Sequence, residues 1–333
     1  MYVDQKEGFH TMTDPSIQRW DDKPWHSLNH ELKYRFGEKL YKLALNGGFT
    51  CPNRDGTLED RGCIFCSAGG SGDFAASPSL SISKQIEQAK QKVDNKFKGS
   101  RYIAYFQAYT GTYAPLPYLE DIYWQAIRHP DIAVLSIATR PDCLSDDIVD
   151  LLSRLNQFKP VWIELGLQTI HEATALYIRR GYPLSVFEQA VRKLHDAGIE
   201  IIVHTILGLP GETEQHMLDT HRYLSHQPIQ GIKIQLLHIL QGTDLAAVYE
   251  KKPFPVLDKE HYIDLLIRCL EILPPELVIH RLTGDGPRKL LIHPLWSLSK
   301  KQVLNEIQHQ FRLRRTWQGR LFDNNPELKN KEE

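Results

Sequence analysis

The stretch CPNRDGTLEDRGCIFC, residues 51–66, holds three of the five cysteines in this chain of 333 residues. It follows a short apolar run, residues 40–45, and a pair of glycines, so we expect it to form the loop after a β-strand. Thiolates from Cys51, Cys63 and Cys66 are sufficient ligands for three irons of a four-iron cluster. The fourth iron then lacks a protein ligand and can bind a small molecule, as an open zinc site does.

Two other interpretations of these cysteines remain open. A structural zinc site needs a fourth ligand, and the nearest histidines, His26, His30 and His129, do not stand at zinc-finger spacing. Inert thiols are the second alternative. A disulfide framework is not expected, because the cysteine number is odd and such frameworks belong to small secreted chains.

Apolar runs and amphipathic stretches alternate from residue 40 onward, which predicts an α/β fold. Six runs rich in β-branched and aromatic residues predict strands that are parallel and buried on both faces: 40–45, 102–107, 134–138, 161–167, 199–207 and 232–237. Six helices are predicted after them: 83–96, 118–127, 146–156, 185–197, 212–225 and 259–273. Six β–α units predict a partial (βα)6 barrel of the TIM type, with a doubly wound open sheet as the alternative.

The domain organisation follows from the same pattern. A C-terminal α/β extension is predicted after the barrel, with a strand over 277–282 and a helix near 299–314. We expect an N-terminal extension, a barrel, a capping and substrate segment and a polar tail: 1–24, 25–273, 274–322 and 323–333.

Composition excludes some classes of protein. The formal net charge of −1 gives no support for strong nonspecific binding to nucleic acid. No apolar run approaches the roughly 20 residues of a membrane helix, and the N-terminus lacks the apolar core of a signal peptide. We therefore expect a cytoplasmic protein that does not contact a membrane.

Short polar motifs stand at the predicted strand ends, where ligands gather in α/β barrels. They are YTGT, TRPD, ELGLQ and GLPGET, at residues 109–112, 139–142, 164–168 and 208–213. Together with CIFC, these motifs and their order resemble the radical S-adenosylmethionine (SAM) domain of the Elongator catalytic subunit. Eleven residues separate Cys51 from Cys63, where most radical SAM proteins have three, and a long gap is similar to that of Elongator-type domains. From about residue 25 to 322, including HRLTGDGP at 280–287, the chain resembles stand-alone Elongator-like proteins of the MnmL type (YtqA/YhcC-like).

The resemblance implies a radical SAM barrel with two cofactors, one [4Fe–4S] cluster on Cys51, Cys63 and Cys66, and SAM. The residues expected to contact SAM are Thr110, Gly111, Thr112, Arg140, Glu164, Gln168 and His204. The segment 110–112 would accept hydrogen bonds from the SAM ammonium, and Arg140 would pair with a carboxylate. Each of these residues also has a structural alternative. The segment 110–112 would form only a turn, Arg140 would form a salt bridge to Asp142, and Glu164 and Gln168 would be buried polar groups with satisfied hydrogen bonds.

The resemblance also implies a reaction and partners. Electrons from a flavodoxin or ferredoxin would reduce the cluster, and a 5′-deoxyadenosyl radical would abstract hydrogen from the substrate. The expected substrate is the wobble uridine of tRNA, whose carboxymethylaminomethyl side chain would become aminomethyl. His280, Arg281, Asp285 and Lys289 would contact the substrate or else form a solvated loop. Basic and aromatic residues over 311–322 would bind RNA or else form a solvated helix face.

Three rival functions remain from the sequence alone. The first is a radical SAM enzyme that acts on a small metabolite or peptide. The second is a non-catalytic iron–sulfur protein that carries electrons or senses oxygen. The third is a zinc-stabilised RNA-binding module.

Overall fold

A computed structural model describes residues 19–70, 72, 75–93, 99–284 and 286–323. Seven parallel strands form one curved sheet in the order β1-β2-β3-β4-β5-β6-β8. The strands of this sheet are β1 (Tyr41–Leu45), β2 (Tyr102–Phe106), β3 (Ile132–Thr139), β4 (Val161–Gln168), β5 (Glu200–Leu207), β6 (Gly231–Leu236) and β8 (Val278–Arg281). The first six confirm the predicted strands, and the order confirms the partial barrel over the doubly wound sheet.

Helices pack around the sheet, and most of them cover its outer face. They are α1 (Leu28–Phe36), α2 (Ile82–Val93), α3 (Leu116–Ile127), α4 (Asp146–Phe158), α5 (Glu172–Tyr177), α6 (Leu184–Asp196), α7 (Glu214–Ser225), α8 (Asp244–Lys251), α9 (Lys259–Ile272) and α10 (Lys300–Arg314). Alternate strand residues such as Leu135, Ile163 and Val203 pack against these helices in the main core. The other residues of each strand point into the barrel lumen, because side chains alternate across a strand.

The amino end of the lumen is filled by apolar side chains. Trp162, Ile103, Val134 and Ile202 form one buried cluster there. Leu32 of α1 belongs to the same cluster, so α1 closes this end of the barrel. The predicted helices did not include α1, whose start is set by the Ser27 hydroxyl accepting a hydrogen bond from His30 N–H.

The C-terminal extension contributes to the barrel itself. Strand β8 pairs in parallel with β6, so it extends the barrel sheet by a seventh strand. A small antiparallel pair, β7 (Ile239–Leu240) and β9 (Leu291–His293), was not predicted. The proposed domain division at residue 273 stays a prediction. No helix among the described residues is long and apolar enough to cross a membrane.

Candidate cofactor and substrate site

The cysteine loop lies between β1 and α2, at the carboxyl end of the sheet. Asn53 is fully buried and holds the loop, because its Nδ2 donates to the Arg179 carbonyl at 2.7 Å and to Cys63 Sγ at 3.5 Å. Arg54 donates from Nη2 to the carbonyls of Cys66 and Ser67, at 2.9 and 2.7 Å. The loop is therefore fixed by hydrogen bonds from the buried Asn53 and the partly buried Arg54.

The three thiols of the loop gather at one cavity, as the ligands of one cofactor must. Cys51, Cys63 and Cys66 are partly exposed and line one cavity. Three thiolates can ligate three irons of a four-iron cluster and leave the fourth iron open. Burial and the neighbouring Cys66 raise the pKa of Cys63 to about 11, so binding of a metal must displace its proton.

A second segment, residues 179–182, packs against the cysteine loop. The Arg180 carbonyl accepts from Arg140 Nη1 at 2.9 Å. Gly181 has a φ of +84°, and a Cβ there would lie 2.7 Å from Asn53 Oδ1. A larger residue than glycine would therefore push the two segments apart.

The cavity beneath these cysteines is lined by residues from the ends of β2 to β6 and from β8. A second hollow, bordered by Gly284, Gly286 and Pro287, shares several lining residues with it, among them Cys66 and Arg281. We call the two hollows together the carboxyl-end cavity. It brings the cysteine loop together with Thr110, Arg140, Glu164, Gln168 and His204, as the strand-end motifs predicted.

Thr110 is the member of the 110–112 segment that lines the cavity. The Gly111 carbonyl accepts from Tyr123 Oη, and a Cβ on Gly111 would lie 2.6 Å from Ile137 Cγ2. The Thr112 hydroxyl lies 2.6 Å from Thr139 Oγ1 and donates to the Cys143 carbonyl at 2.5 Å. The structure thus gives Gly111 and Thr112 structural contacts, and their contact with SAM stays a prediction.

Arg140 lines the cavity and also forms the salt bridge that was its alternative. Its Nε and Nη2 donate to the Asp142 carboxylate at 2.9 and 2.7 Å. Its guanidinium carbon lies 5.0 Å from the centre of the Tyr182 ring. Asp142 therefore orients a guanidinium whose pairing with a ligand carboxylate stays a prediction.

Glu164 is the centre of a buried network. Its Oε1 accepts from Lys42 Nζ and Ser136 Oγ, each at 2.8 Å. Its Oε2 accepts from Tyr105 Oη at 2.7 Å, lies 2.9 Å from His204 Nε2 and accepts from Lys233 Nζ. Burial alone would raise the pKa of Glu164, but Lys233, Lys42 and His204 hold it well below its usual range. Contact of Glu164 with SAM, which the resemblance implies, stays a prediction, since the carboxylate is already surrounded by protein donors.

His204 shares this network and lines the cavity. Burial and the nearby Lys233 lower its pKa to about 4, so the imidazole is neutral near pH 7. A neutral imidazole that donates from Nε2 to Glu164 leaves Nδ1 as an acceptor.

Three glutamine side chains form a separate group in the carboxyl-end cavity. Gln107, Gln168 and Gln235 line both of its hollows. Gln168 has a φ of +69°, and the pairing of β4 with β5 shifts register beside it. Its Oε1 is buried and has no hydrogen-bond partner in the structure. A strained residue with an unsatisfied polar atom is typical of a ligand-binding position.

The predicted substrate residues separate in the structure. Arg281 lines the cavity, whereas His280 lies near the amino end, where its ring packs edge-on against Trp162 at 5.3 Å. Lys289 is exposed. Asp285 lies outside the described residues. Substrate contact by His280 and Lys289 stays a prediction.

The basic and aromatic residues over 311–322 lie away from the cysteine loop. Phe322 borders a groove with Glu200, Gln230 and Val278, which stand at the starts of β5, β6 and β8. Arg314 donates to Asp264 at 2.6 Å. This segment is therefore at the amino end of the barrel, opposite the cavity.

Several polar residues of the site were not identified from the sequence. Lys42 and Lys233 stand inside otherwise apolar strands, and Gln107 and Gln235 stand at strand ends. A charged side chain in the middle of a buried strand is the signal that could have found the lysines, because charges are rarely buried without a partner.

Comparison with known proteins identifies the family. Residues 51–224 match the radical SAM superfamily, and residues 229–312 match the radical SAM C-terminal domain. YtqA of Bacillus subtilis is 45% identical over 301 residues, which cover 90% of this chain and 94% of YtqA. The tRNA uridine(34) acetyltransferase of Methanocaldococcus infernus is 23% identical over 190 residues, 56% of this chain and 34% of that protein.

A solved structure shows the same fold. The archaeal Methanocaldococcus infernus Elp3 with an N-terminal deletion superimposes with a TM-score of 0.61 at 15% identity, covering 81% of this chain. This chain spans 63% of the solved Elp3 chain, so the likeness shows a common barrel rather than a common whole protein. Because the superfamily match alone spans more than half of its length, this chain belongs to the radical SAM superfamily.

Proposed function

We propose that this radical SAM enzyme converts the carboxymethylaminomethyl side chain of the tRNA wobble uridine to aminomethyl, as a stand-alone Elongator-like protein of the MnmL type. The observation that carries the proposal is the likeness, over 56% of this chain, to a protein named for uridine 34 of tRNA. The proposal places the enzyme in the cytoplasm and gives it a flavodoxin or ferredoxin as electron donor.

The cofactors of the enzyme are a [4Fe–4S] cluster and SAM, which the superfamily uses. In this proposal Cys51, Cys63 and Cys66 hold the cluster, Thr110 and Arg140 contact SAM at the cavity wall, and Gln168 contacts the substrate base rather than SAM. When bound and reduced, the cluster supplies the electron that cleaves SAM to methionine and a 5′-deoxyadenosyl radical, which abstracts hydrogen from the substrate. Asn53 and Arg54 keep the loop closed around this chemistry.

The glutamine group supports a nucleobase as substrate. A uracil edge presents one N–H donor between two carbonyl acceptors, and a carboxamide offers both a matching acceptor and matching donors. Gln168 Oε1 is a buried acceptor without a partner, and Gln107 and Gln235 border the same cavity. Enzymes that act on a base extrude it into such a pocket and read its Watson–Crick edge.

Charged residues at the rim of the cavity support tRNA, a polyanion, as the substrate. The loop that borders the second hollow continues into Arg288 and Lys289, both exposed. Exposed cations at this position can pair with phosphates of an anticodon loop. In this proposal the basic residues over 311–322 do not pair with phosphates near the reacting base, since Phe322 of that segment borders a groove at the starts of β5, β6 and β8.

The decisive experiment is mass spectrometry of tRNA nucleosides from a strain that lacks the gene and has no redundant pathway. We expect the carboxymethylaminomethyl form to accumulate and the aminomethyl form to disappear. Wild type and the control Cys143→Ala should restore the aminomethyl form, and Cys63→Ala should not. Unchanged wobble nucleosides in the deletion strain would refute the tRNA assignment.

A further inference from the structure

We infer that Lys233, together with Arg281, forms a subsite at the floor of the carboxyl-end cavity that binds a carboxylate of the substrate. This deepens the proposed function and rests on it only for the identity of the base that carries the carboxylate.

The first observation is that two lysines share one buried carboxylate. Lys42 and Lys233 both donate to the one carboxylate of Glu164. Of the described residues that line the cavity, Glu164 is the sole carboxylate. Its oxygens already receive five protein donors, whereas a carboxylate offers about four lone-pair positions. Glu164 therefore cannot neutralise two ammonium groups, and a second anion would complete the balance.

The second observation is that Lys233, not Lys42, is presented to the cavity. The Lys233 side chain is 3% exposed and lines the cavity wall beside Arg281. Its ammonium has three N–H groups, and the described acceptors are Glu164 Oε2 and Tyr105 Oη, the latter at 3.0 Å. One N–H therefore remains for a ligand oxygen. Burial, Lys42 and Arg281 lower the pKa of Lys233, so a bound anion would stabilise its charged form.

The depth of Lys233 in the cavity favours a carboxylate over a backbone phosphate as the bound anion. Lys233 lies in the middle of β6, two residues below Gln235, which lines the cavity closer to its mouth. A backbone phosphate carries a ribose on each side, so it is bulkier at the glutamines than a terminal carboxylate. A carboxylate at the end of a thin side chain can reach Lys233 while its base stays beside Gln168 and Gln235.

The test measures binding of acetate and acetamide to the reconstituted protein, with saturating SAM, by ligand-observed NMR. We expect wild type to bind acetate at least about tenfold more tightly than acetamide, since hydrogen bonds to charged groups are the stronger class. Lys233→Met should abolish this preference. Lys42→Met is the matched control: it removes the other lysine of Glu164 from outside the cavity lining, so the acetate preference should weaken but remain at least about threefold.

Three outcomes would overturn the inference. The first is equal binding of acetate and acetamide by wild type. The second is an equal loss of the preference in both lysine variants, which would show only an effect on the Glu164 network. Tighter binding of inorganic phosphate than of acetate would assign the floor to a phosphate group instead.

A second pair of probes separates this inference from the proposed function. These are anticodon stem-loops whose wobble uridine carries either the carboxymethylaminomethyl or the aminomethyl side chain. Wild type should prefer the first, and Lys233→Met should not discriminate. Binding of acetate without binding of either stem-loop would leave the subsite in place and contradict the tRNA substrate.

Discussion

The two ends of the barrel lumen are built from the same strands and differ completely in chemistry. At the amino end, Trp162 of β4 and Ile202 of β5 belong to a closed apolar cluster. Two residues farther along the same strands, Glu164 and His204 belong to a charged network beneath an open cavity. Side chains alternate across each strand, so both layers face the lumen. An advance of two residues along a strand therefore leads from the apolar layer to the polar layer beneath the cavity.

This difference teaches where stability and function reside. The apolar layer contributes through dispersion and burial, and it holds the strands at a fixed curvature. The polar layer stabilises the fold only while its charges are balanced, because an unpaired buried charge is costly. The variants below alter one layer at a time, and the largest effect is expected at the cysteines.

Removal of a cluster ligand should have an all-or-none effect at the carboxyl end. Anaerobically reconstituted wild type should contain about four irons per chain, and Cys51→Ala, Cys63→Ala or Cys66→Ala should contain essentially none. Iron and sulfide analysis with absorption spectroscopy measures this. Cys269→Ala is the control, because that thiol is buried in α9. Uptake of one zinc and no iron by wild type would contradict the cluster.

Trp162→Ala should damage the amino end without removing the site. The indole is 1% exposed, and its loss leaves a large cavity, which should lower the free energy of unfolding by about 3–5 kcal/mol. Urea unfolding measures the loss, and the folded fraction should still take up iron. Phe158→Ala, at an exposed ring, should cost less than about 1 kcal/mol. A stable Trp162→Ala protein without iron would contradict the division of roles.

Glu164→Gln should show that the polar layer depends on charge balance. The change leaves Lys42 and Lys233 without a carboxylate, so we expect a loss of about 3–5 kcal/mol in the free energy of unfolding. Glu120→Gln removes a surface carboxylate, 2.6 Å from Arg154, and should cost less than about 1 kcal/mol. Equal losses in the free energy of unfolding for the two changes would contradict a dependence of the polar layer on charge balance.

A smaller effect is expected from buried histidines when the pH falls. Burial lowers the pKa of His221 from 6.5 to about 4, so the folded state binds fewer protons than the unfolded chain in this window. Stability should therefore fall as the pH decreases from 6.5 to 4, by up to about 1.4 kcal/mol per pH unit for this group. His221→Gln should flatten the dependence measured by urea unfolding at several pH values, and exposed His195→Gln should not. A steeper dependence in His221→Gln would contradict this assignment.

Sequence patterns predicted the strands and the end of the sheet that carries the site. They missed contacts between residues that only the closed barrel brings together. Apolar runs such as 161–167 identified the strands, since burial on both faces leaves a continuous pattern. The cysteine spacing and the strand-end motifs identified the end of the sheet that carries the site. The Lys42–Glu164–Lys233 contact joins strands far apart in the chain, so no local pattern reveals it. His280 and Arg281 are neighbours in sequence, yet the His280 ring packs against Trp162 of the apolar layer, whereas Arg281 also lines the carboxyl-end cavity.

The central claim is that the carboxyl end of this barrel carries a redox cluster that cleaves SAM. The most direct measurement is release of 5′-deoxyadenosine from SAM by the anaerobically reconstituted, reduced protein, quantified by mass spectrometry. We expect slow release from wild type alone, faster release with tRNA from the deletion strain, and none from Cys63→Ala. A wild-type protein with a full and reducible cluster that releases no 5′-deoxyadenosine under either condition would contradict the account and indicate an electron carrier.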